Sequence, residues 1–336
     1  MSDLAIGVLS ALLATNPPAA VSNLVVEKTG VSVLAPVAND PVEKEYQKLL
    51  EADDDAQAEV DKWIQENNAA VAKGSGTPRE IFNKRIEGRF AVVRKAYEDF
   101  LEKHPDHARA HLAYGSFLLD INDEQRGVAQ MEKALALDPK NPAAWNNLAN
   151  IYGHHGPVEK AFEYYGKAIE LNPVESVYHQ NLATTVYLFR PAAMVFFKIT
   201  EQQVFDKALE LYKKAVKLDP QNFPLHTDYA QSYYGIKPLR TNDALAAWTN
   251  ALQIAHDDVE RQGVYVHLAR IKTMAGQFDA ARKQINAVTN PMYAELKKRL
   301  LKNVDFREKK PANSSDNLDL DKLMKVGPPT GLREIK

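Results

Sequence analysis

The 336-residue sequence predicts an all-α fold made of repeated helix pairs, because three series of residues recur in one register. The first series consists of prolines separated by 34, 34 and 47 residues: Pro105, Pro139, Pro173 and Pro220. The second consists of alanines separated by 34, 47 and 36 residues: Ala134, Ala168, Ala215 and Ala251. The third consists of large apolar residues separated by 34, 34, 47 and 39 residues: Tyr114, Leu148, Leu182, Tyr229 and Leu268. Periods of this length are typical of stacked helical repeats.

The second repeat carries the clearest pattern. It reads Trp145-x2-Leu148-Ala149-x2-Tyr152, then Ala161-x3-Tyr165-x2-Ala168, then Pro173. This pattern resembles that of the tetratricopeptide repeat family, which is W-x2-L-G-x2-Y, A-x3-F and a closing P. Weaker versions of it extend the resemblance over residues 108–290. The resemblance implies an α-α superhelix, the solenoid of this family, with about five repeats over residues 108–304.

The residues before the array are predicted to form a helical cap. In the N-terminal helical region, residues 1–72, Asp40, Pro41 and Glu43 form a strong helix start. The acidic run Asp53-Asp54-Asp55 within this region indicates a turn between two helices. Residues 77–107 carry an apolar helical pattern, and they are interpreted as a degenerate repeat or a capping helix.

Both ends of the chain call for separate interpretations. An apolar stretch, Leu4 to Ala14, has the length of a signal-peptide core, but no Lys or Arg precedes it. We therefore favour a short helix over a signal that removes residues 1–20, and a cytoplasmic location over an exported form. No run of apolar residues is long enough for a membrane-spanning helix. The polar residues 305–336 are predicted to be a mobile tail.

Composition and motifs argue against catalysis and against nucleic-acid binding. A formal net charge of -2 provides no basic footprint for phosphates, and the absence of cysteine excludes disulfides and thiolate chemistry. The sequence contains no phosphate loop, dinucleotide glycine motif or nucleophile elbow. The adjacent His154 and His155 have no third metal ligand at a suitable spacing. We therefore expect no enzyme, no catalytic residue, no cofactor and no metal.

The third repeat contains an apolar insertion. Its two helices are separated by 13 more residues than those of the other repeats (47 minus 34), within residues 188–206. The insertion is rich in large apolar side chains, including Phe189, Met194, Phe196 and Phe197. Two interpretations stay open: these side chains pack on neighbouring repeats, or they form a hook for a partner or a second copy of the chain.

The resemblance also implies where a ligand binds. In tetratricopeptide proteins the first helices of successive repeats line a concave groove that holds a peptide. The positions that match the groove positions are Asn146, Asn147, Asn150, Gln180, Asn181, Thr184, Asp228, Gln231 and Arg270, with Thr227, Val266 and His267 at the remaining equivalents. Asn147 and Asn181 lie one repeat apart, so their amides can form two rungs along a peptide backbone. Asparagine is, however, ordinary at these positions and need not indicate a selected ligand.

These patterns predict a protein-interaction scaffold or adaptor whose partner is another protein or a peptide. The basic clamp of chaperone-binding members is not expected, since Leu112 and Ser116 occupy its early positions. The alternative is a structural protein that self-assembles into a homo-oligomer through residues 188–206 and the N-terminal helices.

Overall fold

The computed structural model describes residues 40–309, which form fourteen α-helices and no β-strand. The all-α prediction is therefore confirmed. The helices are α1 (Pro41–Val71), α2 (Arg79–Lys103), α3 (Ala108–Asp120), α4 (Glu124–Leu137), α5 (Pro142–His155), α6 (Val158–Leu171), α7 (Ser176–Leu188), α8 (Arg190–Phe197), α9 (Glu201–Leu218), α10 (Phe223–Gln231), α11 (Thr241–Gln253), α12 (Asp258–Met274), α13 (Phe278–Asn286) and α14 (Ala294–Lys309). Two short 3-10 segments, Ser232–Gly235 and Pro291–Tyr293, follow α10 and precede α14.

The chain divides into two compact units between Tyr178 and His179. In the first unit the largest helix–helix contacts join α3 to α4 and α5 to α6. In the second unit α10 packs on α11, and α12 packs on α13. These are the helix pairs that the repeat series predicts, because neither helix of a pair can bury its apolar stripe alone. Within residues 40–309 no helix is long and apolar enough to cross a membrane.

The second helices of three repeats end as the sequence predicts. The C-cap residues of α4, α6 and α9 are Asp138, Asn172 and Asp219, and each of them is followed by proline. The backbone leaves helical geometry at each stop because proline disfavours that geometry in the residue before it. The backbone N–H of each stop residue donates to the carbonyl of an alanine in the repeated series: Ala134, Ala168 or Ala215. Each alanine thus gives a close helix contact through its side chain and a cap through its backbone.

A hydrogen bond from a side-chain ring recurs between the first helix of a repeat and the turn before that helix. In each case a ring N–H donates to a proline carbonyl six residues earlier: His111 to Pro105 at 2.8 Å, Trp145 to Pro139 at 2.9 Å, and His226 to Pro220 at 3.2 Å. A carbonyl only accepts, so the histidine nitrogen must carry the proton. Histidine and tryptophan can both occupy this position, since both rings supply an N–H donor. His111 and His226 are both buried, as their position in the repeat predicts.

Before the array, α1 packs on α2 and α2 packs on α3. Asp40 caps α1, and its carboxylate accepts from the N–H of Val42 at 2.9 Å, which confirms the predicted helix start. The predicted turn at Asp53-Asp54-Asp55 is wrong, because α1 continues through it. Asp53 faces α2 and accepts a hydrogen bond from the hydroxyl of Tyr97 at 2.7 Å. This buried contact outweighs the weak helix propensity of aspartate.

The array is predicted to end at residue 304, and the last described helix passes that residue. Helix α14 continues to Lys309, because Arg282 of α13 binds Asp305 at 2.8 Å and Glu308 at 2.5 Å. The short helix predicted near Leu4 and the tail beyond residue 309 lie outside the described residues.

Candidate functional site

In the first unit, the residues that match groove positions lie on α5. Asn147 and Asn150 are half-buried, whereas Asn146 is only 6% exposed and donates to the amide oxygen of Asn147 at 3.5 Å. The amide oxygen of Asn150 accepts from the hydroxyl of Tyr165 at 2.6 Å. That bond leaves the amide nitrogen of Asn150 to donate to a ligand. Asn146 thus lies below the surface and supports Asn147 instead of meeting a ligand.

In the second unit, the corresponding residues on α7 are tied to neighbouring helices. Gln180 donates from its amide nitrogen to the carboxylate of Asp228 on α10 at 3.0 Å. The hydroxyl of Thr184 donates to the Gln180 carbonyl at 3.0 Å, so it accepts from the hydroxyl of Tyr212, 2.8 Å away. Asn181 is half-buried on the same helix. These bonds hold the polar side chains of α7 in fixed orientations.

Asp228 is a partly buried carboxylate whose negative charge is poorly stabilised by its surroundings. Burial raises its pKa to about 6, and the hydrogen bond from Gln180 opposes that rise. Its Oδ1 atom is buried and has no hydrogen-bond partner within residues 40–309. Gln231, one turn further along α10, is half-buried. The ionised form of Asp228 therefore weakens the fold near neutral pH.

Replacement of Asp228 by asparagine is expected to stabilise the protein more at pH 8 than at pH 4.5. Folding raises the pKa of the Asp228 carboxyl above its ordinary value of 3.8. The carboxyl therefore supports the fold fully below pH 3.8, and this support is lost as the pH rises through about 6. Asparagine cannot ionise, so Asp228→Asn should gain about 1–2 kcal/mol at pH 8. Urea unfolding at both pH values measures this gain. The exposed Asp55→Asn is the control, and a gain independent of pH would contradict the explanation.

On α12, His267 is held in an aromatic cluster. Its ring stacks on the ring of Trp248 from α11, with a centroid distance of 4.1 Å and an angle of 7°. The hydroxyl of Tyr234 lies 3.0 Å from His267 Nδ1. Burial, with a smaller contribution from the positive charge of Arg270, lowers the pKa of His267 to about 3. The guanidinium carbon of Arg270 lies 4.8 Å from the centre of the Tyr234 ring.

Sequence reasoning missed Tyr234 and Trp248 as parts of this cluster. Trp248 matches a packing position of the repeat, and Tyr234 lies in a 3-10 segment after α10. The doubled tyrosine at Tyr233 and Tyr234 is the signal that sequence analysis could have used. Only the packing of α11 on α12 brings Trp248 to His267.

The insertion of the third repeat forms α8, a short additional helix. Ala193 of this helix is buried, but four large apolar side chains of α8 and its N-cap residue are more than one third exposed: Phe189 (38%), Met194 (37%), Val195 (76%) and Phe196 (39%). Phe197 is half-buried, and the ammonium of Lys207 lies 4.3 Å from its ring centre. We call the four exposed side chains the α8 patch. Of the two interpretations left open, packing accounts for Ala193 but not for the patch.

Comparison with protein families decides the nature of the repeat. A model described as tetratricopeptide repeat matches residues 131–163, and another of the same description matches residues 87–127. The chain therefore contains tetratricopeptide repeats. Tetratricopeptide repeats in general serve as scaffolds for interactions between proteins. The match at residues 87–127 begins inside α2, upstream of the array.

Two curated relatives share short segments with this tetratricopeptide protein. The human protein O-mannosyl-transferase TMTC3 is 31% identical over 88 residues, which are 26% of this chain and 10% of that protein. Cellulose synthase operon protein C of Pseudomonas fluorescens (strain SBW25) is 32% identical over 102 residues, 30% of this chain and 8% of that protein. The chain thus spans a tenth or less of the length of these relatives.

Several solved structures resemble this tetratricopeptide protein in part. YrrB, described as a TPR protein with an unusual peptide-binding site, is 16% identical with a TM-score of 0.46, covering 61% of this chain and 99% of its own. PilW, described as a type IV pilus biogenesis factor, is 16% identical with a TM-score of 0.48, covering 65% and 91%. PilF of Pseudomonas aeruginosa is 17% identical with a TM-score of 0.47, covering 76% and 99%.

Proposed function

We propose that this protein is a scaffold or adaptor that binds peptide segments along the first helices of its repeats. The observation that carries the proposal is that half-buried polar side chains occupy the family's groove positions within each unit. In the first unit these are Asn147 and Asn150; in the second, Asp228, Gln231 and Arg270 are examples. Half-buried polar groups can bind a ligand and still be held in place by neighbouring helices.

An extended peptide needs donors and acceptors at regular intervals, since each of its residues carries one N–H and one C=O group. The amides of Asn147 and Asn150 supply both kinds of group on α5. In the second unit, Gln231 supplies a further amide and Arg270 supplies a cation. Chemistry of this kind favours a peptide backbone over an apolar helix, which would require a continuous apolar groove.

Capture of partners from a native extract tests the proposal. Immobilised full-length protein is compared with the double variant Asn147→Ala, Asn181→Ala. Loss of two amide hydrogen bonds, each worth about 1 kcal/mol, should reduce partner recovery by roughly tenfold or more. The matched control is Asn250→Ala, which replaces an exposed asparagine on the second helix α11. Equal recovery by the double variant and the wild type would overturn the proposal.

A second candidate function is self-assembly through the α8 patch and the N-terminal helices. It is favoured by the exposure of the α8 patch, because contiguous apolar side chains on a surface often mark an interface. The test is the mass in solution as a function of concentration, for the wild type and for a variant with Met194→Ser and Phe196→Ser. Self-assembly requires a mass that rises with concentration in the wild type alone. A concentration-independent monomer would exclude it.

A further inference from the structure

The cluster around His267 presents a fixed hydrogen-bond donor. Burial, with a smaller contribution from the positive charge of Arg270, lowers the pKa of His267, so the ring is neutral near pH 7 and carries one proton. The Tyr234 hydroxyl lies 3.0 Å from Nδ1 and 3.4 Å from the backbone oxygen of the same residue. We assign the hydroxyl proton to Nδ1, the nearer of these two acceptors, which places the ring proton on Nε2. Stacking on Trp248 fixes the plane of the ring and hence the direction of that donor.

Arg270 lies one helical turn after His267 and has no acidic partner within residues 40–309. The guanidinium instead lies over the Tyr234 ring, which orients it without neutralising it. Two other arginines of the second unit, by contrast, bind acidic side chains. Arg240 binds Asp206 at 2.6 Å, beside a depression of about 320 Å³, and Arg282 binds acidic residues of α14. Arg270 is thus a preoriented cation that is left for a ligand.

The two groups suit an anion that is planar or has several oxygens. Arginine offers a fork of N–H donors that matches a carboxylate or a phosphoryl group, and the Nε2–H of His267 adds a neutral donor beside it. A neutral ligand would leave the guanidinium without a counter-charge. Both residues occupy groove positions of one repeat, so the anion would belong to a peptide that follows the first helices.

We propose that His267 and Arg270 form a subsite for one acidic side chain of the bound peptide, an inference that rests on the proposed function. Tyr234 and Trp248 are positioning residues, because they orient the imidazole and the guanidinium and do not themselves bind the acid. The specificity of the protein is then for peptides with an internal Glu or Asp, or with a phosphorylated residue at the same place.

Three capped peptides test the subsite with the full-length protein. Their sequence is Ala-Gly-Ala-X-Ala-Gly-Ala, acetylated and amidated, where X is Glu, Gln or phosphoserine. Binding is followed by the imidazole nitrogen signals in NMR titrations at constant ionic strength. The Glu peptide should shift the His267 signals and bind about tenfold more tightly than the Gln peptide, as expected for a charge-assisted hydrogen bond. If the phosphoserine peptide binds more tightly than the Glu peptide, the anion is assigned as phosphoryl. If it binds more weakly than the Glu peptide, the anion is assigned as carboxylate.

Variants of α12 identify the cation. Arg270→Gln should remove the preference for Glu over Gln, and Arg270→Lys should keep part of it if the fold is intact. The matched control is Arg261→Gln, because Arg261 is an exposed arginine on the same helix. The control should bind all three peptides like the wild type. A preference that survives Arg270→Gln would overturn the subsite.

The two proposals fail in different ways. If the wild type binds the Glu and Gln peptides equally or binds neither, the subsite is wrong, even where partner capture still depends on Asn147 and Asn181. The converse outcome is a Glu preference that depends on Arg270, together with equal partner capture by the wild type and the double asparagine variant. In that case the groove proposal is wrong, and an isolated acid-binding site remains.

Discussion

Replacement of Gly115 by leucine is expected to lower the free energy of unfolding by about 3 kcal/mol or more, typical of severe overpacking. Helices α3 and α4 pack closely at this residue. A Cβ atom added there would lie 2.6 Å from Cγ of Met131 and 3.0 Å from the carbonyl oxygen of Gly127. The backbone oxygen cannot rotate away, so α3 and α4 would have to separate.

The control for this prediction is Gly166→Leu on α6. Nothing lies within 4 Å of a Cβ atom added at Gly166, and this glycine is exposed. Leucine should therefore leave stability unchanged or raise it by up to about 1 kcal/mol, because glycine is a poor helix former. Thermal and urea unfolding, followed by circular dichroism, measure both variants. Equal effects of the two substitutions would contradict the close packing of α3 on α4.

Replacement of Trp248 by alanine is expected to destabilise the second unit by about 3–5 kcal/mol, the range for a buried aromatic side chain. Trp248 is 1% exposed and lies in the core that joins α10, α11 and α12. Its removal leaves a cavity and also releases the ring of His267. The Glu preference of the peptide subsite should therefore fall together with stability.

Two further tryptophan variants separate burial from hydrogen bonding. Trp145→Ala should cost about half as much as Trp248→Ala, because Trp145 is half-buried and loses less apolar contact. Trp248→Phe should lower the free energy of unfolding by well under half as much as Trp248→Ala does. The reason is that the buried indole N–H of Trp248 has no acceptor within residues 40–309, so its loss breaks no hydrogen bond there. Urea unfolding of the three variants gives these differences. A Trp248→Phe cost equal to that of Trp248→Ala would contradict this account of the core.

The repeat could be predicted from the sequence because its positions serve local packing that recurs at a fixed period. Ala134, Ala168 and Ala215 are at most 3% exposed, and their carbonyls accept the N–H that ends each second helix. The same residue type is therefore required in each repeat. The helix start at Asp40 was predictable for a similar reason, since a cap depends only on residues within one turn.

Features that depend on contacts between helices could not be predicted. Asp53 tolerates a helical position because Tyr97, 44 residues away, donates to it. Asn146 occupies a groove position in the repeat pattern, but packing between helices buries its side chain. The acid-binding cluster requires α11 to place Trp248 under His267, a contact that no repeat spacing reveals.

Hydrogen exchange of the protein with a captured partner tests the central claim most directly. The claim is that partners bind along the first helices of the repeats. Protection should therefore rise on α5 around Asn147 and Asn150, on α12 around His267 and Arg270, or on both, while the second helices α6 and α11 keep their rates. Protection confined to second helices or to α8 would contradict the claim.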